Sequence, residues 1–293
     1  MVKEFFSDRE RGARPRTSEI VDGRAWAGLV AQINQRVLNG SFGFGFPEAC
    51  PDNEGTIGCD GADLGMALRA EVDIDWPLSP NQLPSDQMAI WDTLEFLFEH
   101  VGSPVRGKYH PYFGHYHLTY DVETGQQEFA ASVNRLLARN GSAFELTDEG
   151  QISRILPEHI REQIAAARFQ TGDAETDRML EAARVGITAP VFDSRKVGLE
   201  KLWDAFERLK TLEPGSDKKA SANALLDKVD AGPKYRELLG AEATALTNAG
   251  NSFGIRHFET NKELLQTPQQ VDYLFFRMFA FIQLLLRASG RGV

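Results

Sequence analysis

The sequence predicts an α+β N-terminal domain followed by an all-helical bundle, and three observations carry that prediction. Up to about residue 156 the apolar pattern mixes helical spacing with strand-like alternation, whereas from about 157 it is helical only. The charge divides the same way: residues 1–170 hold 15 Lys plus Arg against 25 Asp plus Glu, and residues 171–293 hold 17 against 17. At 293 residues the chain is also long enough for two cores, since single cores stop growing at roughly 250–300 residues. The expected domains are 1–168 and 169–293. With 42% hydrophobic and 10% aromatic residues the chain has the composition of a folded protein.

In the first domain, Trp26, Leu29, Val30, Ile33 and Val37 recur at helical spacing, with Asp22 as N-cap and Gly40 as stop. The stretch 40–63 reads as an irregular loop pinned by Phe42, Phe44 and Phe46. Its glycines make no phosphate cradle, because no strand precedes them and no Lys-Ser or Lys-Thr pair follows. A second helix begins at Ser85 and turns Met88, Trp91, Leu94, Phe98 and Val101 inward. HYHLTYD then alternates as a strand and turns at Glu123, Thr124 and Gly125. A third helix carries Phe129, Val133 and Leu137, and AFELTDEGQISRIL reads as a hairpin.

The second domain opens with a connecting helix and continues with one over DAETDRMLEAARVGI. Next, Leu199, Leu202, Trp203, Phe206 and Leu209 line the inner face of a helix whose Glu200, Asp204 and Glu207 point outward. Two further helices follow, the second opened by Pro233. In the last helix Val271, Leu274, Phe275, Met278, Ile282 and Leu285 form one apolar face, and Tyr273, Phe276, Ala280 and Leu284 stand opposite. One core cannot cover both faces. Covering the second predicts a homodimer through this helix, with burial under the N-terminal domain as the rival.

The composition also narrows the chemistry. The formal charge is −10, and between 50 and 100 eleven acidic residues face one basic residue, Arg69. That stretch repels phosphate, so any RNA contact is expected on the C-terminal domain, while the acidic domain suits a basic protein partner. The N-terminus lacks the apolar core of a secretory signal, and residues 271–288 carry Asp272, Arg277 and Gln283; the expectation is a cytoplasmic chain with no membrane partner. The two cysteines, Cys50 and Cys59, sit in a loop rich in Pro, Gly and Asp and suit a reducing compartment. Two thiolates alone make no zinc site. Only His110, His115 and His117 of YHPYFGHYH could add donors, and the plain reading is a pair of loop thiols beside a solvated strand face. No metal and no cofactor are therefore expected.

The start FFSDRERG, the helix ending QINQRVLNG, the stretch VNRLLARNGSAFELTDEGQISRI, and NSFGIRHFETN leading into QQVDYLFFRMFAFIQLLL together resemble the AbiJ-like abortive-infection proteins of bacteria. The resemblance spans nearly the whole chain and implies a C-terminal HEPN-like helical domain of a kind that commonly dimerises. It implies a part in antiviral defence, with metal-independent RNA cleavage by an Arg and a His near the start of the last helix. Arg256 and His257 stand at that place but are adjacent, and Asn261 stands five residues after Arg256 where the pattern has a His. The candidate catalytic residues are thus Arg256, His257 and Asn261. A His can take the 2′-hydroxyl proton and an Arg can stabilise charge on the phosphate. Because neighbouring side chains diverge, two such pairs facing across a dimer would serve better than one. The alternatives are a structural role, with Arg256 pairing an acid such as Asp272, and a non-catalytic HEPN-like module that holds a nucleotide, RNA or protein.

Overall fold

A computed structural model of the chain describes residues 5–229, 232–255 and 263–292. It divides into two compact units, Met1–Ile155 and Leu156–Val293. The boundary lies ahead of the expected residue 168 because helix α6 (Glu158–Ala166) turns Ile160 and Ile164 into the second unit's core, joined there by Leu156 and Ala167.

The N-terminal unit is mixed α/β. Helix α1 (Phe6–Arg11) leads into α2 (Gly23–Leu38), which starts where the Asp22 carboxylate accepts a hydrogen bond from the Ala25 N–H at 2.8 Å. It ends at Gly40, whose φ of 80° is the left-handed conformation that suits glycine. Trp26, Leu29, Val30 and Ile33 are buried as their spacing requires, and the Trp26 indole N–H donates to the carbonyls of Ser79 and Gln82 at 2.9 Å each. The segment read as an irregular loop is more ordered than expected. It contains a 3₁₀ turn (Ser41–Phe44), strands β1 (Pro47–Ala49) and β2 (Thr56–Cys59), and helix α3 (Gly61–Glu71) capped by Asp60. Short strands beside glycine-rich turns leave almost no periodic signal, so pairing with neighbours decides them.

Helix α4 (Gln87–Glu99) buries Trp91, Leu94 and Phe98, while Met88 in its first turn stays 49% exposed rather than facing inward. Strand β3 (Ser103–His110) follows, and β4 (His115–Asp121) returns antiparallel to it. Glu123, Thr124 and Gly125 form no turn. They are the first turn of α5 (Val122–Arg139), capped by Asp121 through the Thr124 N–H at 3.0 Å. Gly125 is required there: a Cβ would stand 2.4 Å from the Ser103 nitrogen. The four strands run in the order β1-β2-β4-β3, all antiparallel, and the expected hairpin appears as β5 (Phe144–Leu146) and β6 (Ile152–Arg154).

The C-terminal unit is helical: α6, α7 (Ala174–Ile187), α8 (Phe192–Leu209), α9 (Lys218–Asp227), α10 (Pro233–Ser252) and α11 (Pro268–Ala288). The five inward residues expected on α8 are all at most 1% exposed. Glu207 does not point into water as expected. It is 8% exposed and accepts hydrogen bonds from Lys210 at 2.5 Å and Lys218 at 2.7 Å. Burial pushes the Glu207 carboxyl up, but those two ammonium groups outweigh it and hold the group below its ordinary range. Helices α7 and α8 cross closely at Gly186 and Gly198, where a Cβ on the former would stand 2.6 Å from the latter's Cα.

Helix α11 shows where the two-faced projection misleads. Phe279 and Phe281 are buried beside the expected apolar face, and Phe276 and Leu284 are half-buried against the core of their own unit. Arg277 is tied to Glu242 of α10 by two hydrogen bonds of 2.8 and 2.9 Å. Among the large residues of the second face only Tyr273, 63% exposed, remains largely in water. The apolar area that argued for a second surface is therefore mostly covered from within the unit. Among the described residues no helix is long and apolar enough to cross a membrane.

A charge couples two helices of this unit to pH. The Asp173 carboxylate caps α7 through the Thr176 N–H at 3.0 Å and receives Arg208 of α8 at 2.5 and 2.8 Å. The Arg208 hydrogen bonds, aided by Thr176, hold Asp173 well below the usual carboxylate range. A depressed folded pKa contributes stability that is complete above the unfolded value, about 3.9, and is lost as pH falls below it. Asp173→Asn keeps the capping geometry, so it is expected to lower stability at pH 7 and to match the parent progressively from about pH 4 downward. Urea titrations across that range check it, and a pH-independent difference would contradict it.

Candidate metal centre

Two turns bring four donor side chains together. The first is the knuckle between β1 and β2. Its ends close through the Cys50 N–H to the Gly55 carbonyl at 2.7 Å, and the Asn53 N–H returns to the Cys50 carbonyl at 2.8 Å. Asn53 takes a φ of 60°, a left-handed conformation asparagine tolerates better than most residues, and the Asp52 carboxylate accepts from the Glu54 N–H at 3.0 Å. The second is the β3–β4 turn, where Gly114 at φ 69° donates its N–H to the His110 carbonyl at 2.9 Å. His110 and His115 pair directly across this hairpin, and His117 shares the face of His115 because strand side chains alternate. The pairing of Thr56 with Leu118 joins β2 to β4 and lays the knuckle over the histidine face. Gly55 permits that approach, since a Cβ there would stand 3.0 Å from His117 Cγ.

The ligand-capable atoms of Cys50, His110, His115 and His117 lie within 4.8 Å of one another. Cys50 Sγ is 3.4 Å from His110 Nδ1 and 3.2 Å from His115 Nε2. For comparison, bond lengths of about 2.3 Å to sulfur and 2.0–2.1 Å to nitrogen put S···N at roughly 3.6 Å around tetrahedral zinc. Cys50 is only 1% exposed and the three histidines are half-buried. The far nitrogen of His110, Nε2, lies 3.3 Å from Asp52 Oδ2, which is how a carboxylate outside the ligand shell orients a ligating imidazole.

Hydrogen bonding within the protein leaves this cluster incompletely satisfied. A thiol has one hydrogen, yet Cys50 Sγ faces two imidazole nitrogens and also the Asp52 carboxylate. His117 Nε2 is buried and has no hydrogen-bond partner among the described residues. Burial, and then the hydrogen bond with Asp52, push the Cys50 thiol up, while the same hydrogen bond holds Asp52 down. One divalent cation at the centre would engage all four donors at once. A thiolate with three imidazoles suits zinc and similar borderline transition ions better than calcium or magnesium, which prefer oxygen.

Cys59, grouped with Cys50 in the sequence, is outside the cluster. It lies on β2, where burial, followed by the charges of Asp60 and Glu48, pushes its thiol up to about 11. At neutral pH it is protonated and a poor nucleophile. From the sequence the metal reading carries little weight because two thiols alone make no zinc site and the histidines read as a solvated strand face; the thiol and the histidines are some sixty residues apart, and the β2–β4 pairing brings them together. The available signal was a Cys in a Pro-Asp-Asn-Glu-Gly turn together with His-x₄-His-x-His on one short segment. Arg256, His257 and Asn261 fall outside the described residues, so the structure places none of them.

Fold and site together define a mixed α/β unit with a candidate CysHis₃ metal centre, followed by a helical unit. No family model matches this chain, and no curated protein or solved structure does either.

Proposed function

We propose that the N-terminal unit binds one zinc-class ion through Cys50, His110, His115 and His117, with Asp52 orienting His110. The observation that carries this reading is the convergence of one ligand-capable atom from each of four side chains within 4.8 Å, in a cluster where His117 Nε2 is buried without a hydrogen-bond partner among the described residues. Four protein ligands fill a tetrahedral shell and leave no position for a substrate or an activated water, so the ion's work here is structural. It ties the β1–β2 knuckle to the β3–β4 hairpin, reinforcing the register pair Thr56–Leu118 and the hydrogen bond that the Tyr120 hydroxyl donates to the Gly58 carbonyl at 3.5 Å. Protein purified without chelator is expected to contain one equivalent of metal by elemental analysis. Cobalt substitution should give the visible bands of a tetrahedral thiolate site, and both signals should be lost in Cys50→Ser. Metal well below one equivalent after reconstitution with excess zinc defeats the proposal.

For the whole chain we propose the role implied by the resemblance to AbiJ-like proteins: a bacterial antiviral defence effector whose C-terminal, HEPN-like unit acts on RNA without a catalytic metal. Its support is that resemblance, together with a C-terminal unit whose described elements are the helices α6 to α11. Arg256 and His257, with Asn261 as a polar helper, would act from two subunits on one RNA. Overexpression is expected to arrest growth and break RNA in a reaction that persists in EDTA. The Arg256→Ala, His257→Ala double variant is expected to lose at least about a hundredfold, since general acid–base catalysis contributes 10²–10⁴. Undiminished toxicity in that variant favours the non-catalytic module, and a strictly monomeric protein removes the composite centre.

A further inference from the structure

The hairpin whose one face supplies three histidines carries a different chemistry on the other. Tyr109 and Tyr116 pair across the strands with ring centroids 4.9 Å apart, and they are 46% and 41% exposed. The Arg106 guanidinium lies 5.2 Å from the centroid of the Tyr116 ring. At the tip Tyr112 is 85% exposed, while Phe113 stacks on His115 of the histidine face. Nearer the strand ends the same face rests on the core, with Leu118 beside Gly40 and Tyr120 tilted against Phe44. The aromatic part therefore projects beyond the core it grows from. Holding so many rings in water forgoes burial worth about 25 cal/mol per Å², and a patch of that kind marks a binding surface.

The charge indicates what it binds. Arg106 and Lys108 are the only basic residues between 70 and 134, in a region that is otherwise strongly acidic, and both belong to this hairpin. Cations interleaved with exposed aromatic rings match a phosphate backbone with unpaired bases, because every base offers a π-face and needs no particular sequence. A basic protein partner, which suits the acidic surface of this half, would be repelled here. We propose that the distal β3–β4 hairpin binds single-stranded nucleic acid, with Tyr109, Tyr116 and Tyr112 stacking on bases and Arg106 meeting a phosphate. The metal centre on the opposite face holds the two strands in the register that aligns the rings, and for that rigidity the inference rests on the metal reading. Net charge assigns nucleic acid to the C-terminal half; the hairpin is a local exception to that balance.

The test uses the full chain, a fluorescent twelve-residue oligouridylate and a duplex of equal length, with metal content measured on every sample. The single strand is expected to bind in preference to the duplex. Tyr109→Ala with Tyr116→Ala should weaken it by about ten- to a hundredfold while keeping one equivalent of metal, as neither ring is a ligand. Arg106→Gln should flatten the salt dependence by roughly 0.7 in log–log slope, the share of one phosphate on a single strand. A metal-replete protein that ignores the oligonucleotide, or binding untouched by the tyrosine pair, overturns the stacking proposal and leaves the metal reading standing. Protein that stays metal-free after reconstitution with excess zinc yet still binds through the two tyrosines defeats the metal reading instead.

Discussion

Removing the metal is expected to lower the unfolding midpoint of the N-terminal unit by roughly 8–16 °C and to leave the helical unit's transition in place. An ion that binds only the folded state, present at a thousandfold over its dissociation constant, contributes about 4.1 kcal/mol. For a unit of this size each kcal/mol moves the midpoint by about 2–4 °C. The separation between units follows from their cores: the N-terminal cluster centres on Trp26, Ile90 and Phe129, and the C-terminal one on Trp203, Phe206 and Phe275, with no residue in common. Apo protein should keep its helices, because α2, α4 and α5 bury their apolar faces without help from the knuckle. Thermal melts followed by circular dichroism, with and without chelator, read the effect. Cys50→Ser and His117→Gln should each reproduce the chelated midpoint and be insensitive to added zinc. Equal midpoints for parent and variants in excess zinc would show that the ion does not clamp the fold.

Trp203→Ala is expected to cost the C-terminal unit about 4 kcal/mol, in the upper range for a single substitution. The side chain is 0% exposed, and its indole N–H donates to the Leu246 carbonyl of α10 at 3.0 Å. The ring lies so close to α10 that a Cβ at Gly250 would meet its Nε1 at 2.3 Å. Truncation therefore opens a cavity walled by helix backbone, which cannot collapse to fill it. Trp203→Phe keeps much of the ring but loses the hydrogen bond, and about 1–2 kcal/mol is expected. Urea titrations of both variants measure these losses, and the N-terminal transition should not move. A loss below about 1 kcal/mol for the alanine variant would mean that Trp203 does not organise this core.

The structure separates what the chain's pattern makes legible from what it hides. Helices α2, α5, α7, α8 and α11 are readable because three to six apolar residues recur on one face of each and a polar residue caps most of them. Asp22 caps α2 as expected from the sequence, and Asp173 caps α7. Strands β1 and β2 and helix α3 are not readable. Their residues are short, polar or glycine-rich, and they take shape through pairing and close approach, as at Gly58, where a Cβ would stand 2.8 Å from the Glu48 carboxylate. Glu207 and Phe276 show the same limit on surfaces. Helical projection places a residue on a face, but a lysine from another helix or a neighbouring core decides whether that face is wet.

The site follows the same division. Sequence alone determined that this chain has an acidic mixed half and a balanced helical half, and that one thiol-bearing turn and one histidine-rich strand were available. Hydrophobic period and charge count are local quantities and need no contacts. Which of the two cysteines meets the histidines was decided only by tertiary structure. The β2–β4 pairing turns Cys50 toward His110, His115 and His117 and leaves Cys59 half-buried beside carboxylates, because metal ligation depends on distances of a few ångströms that the chain closes across sixty residues.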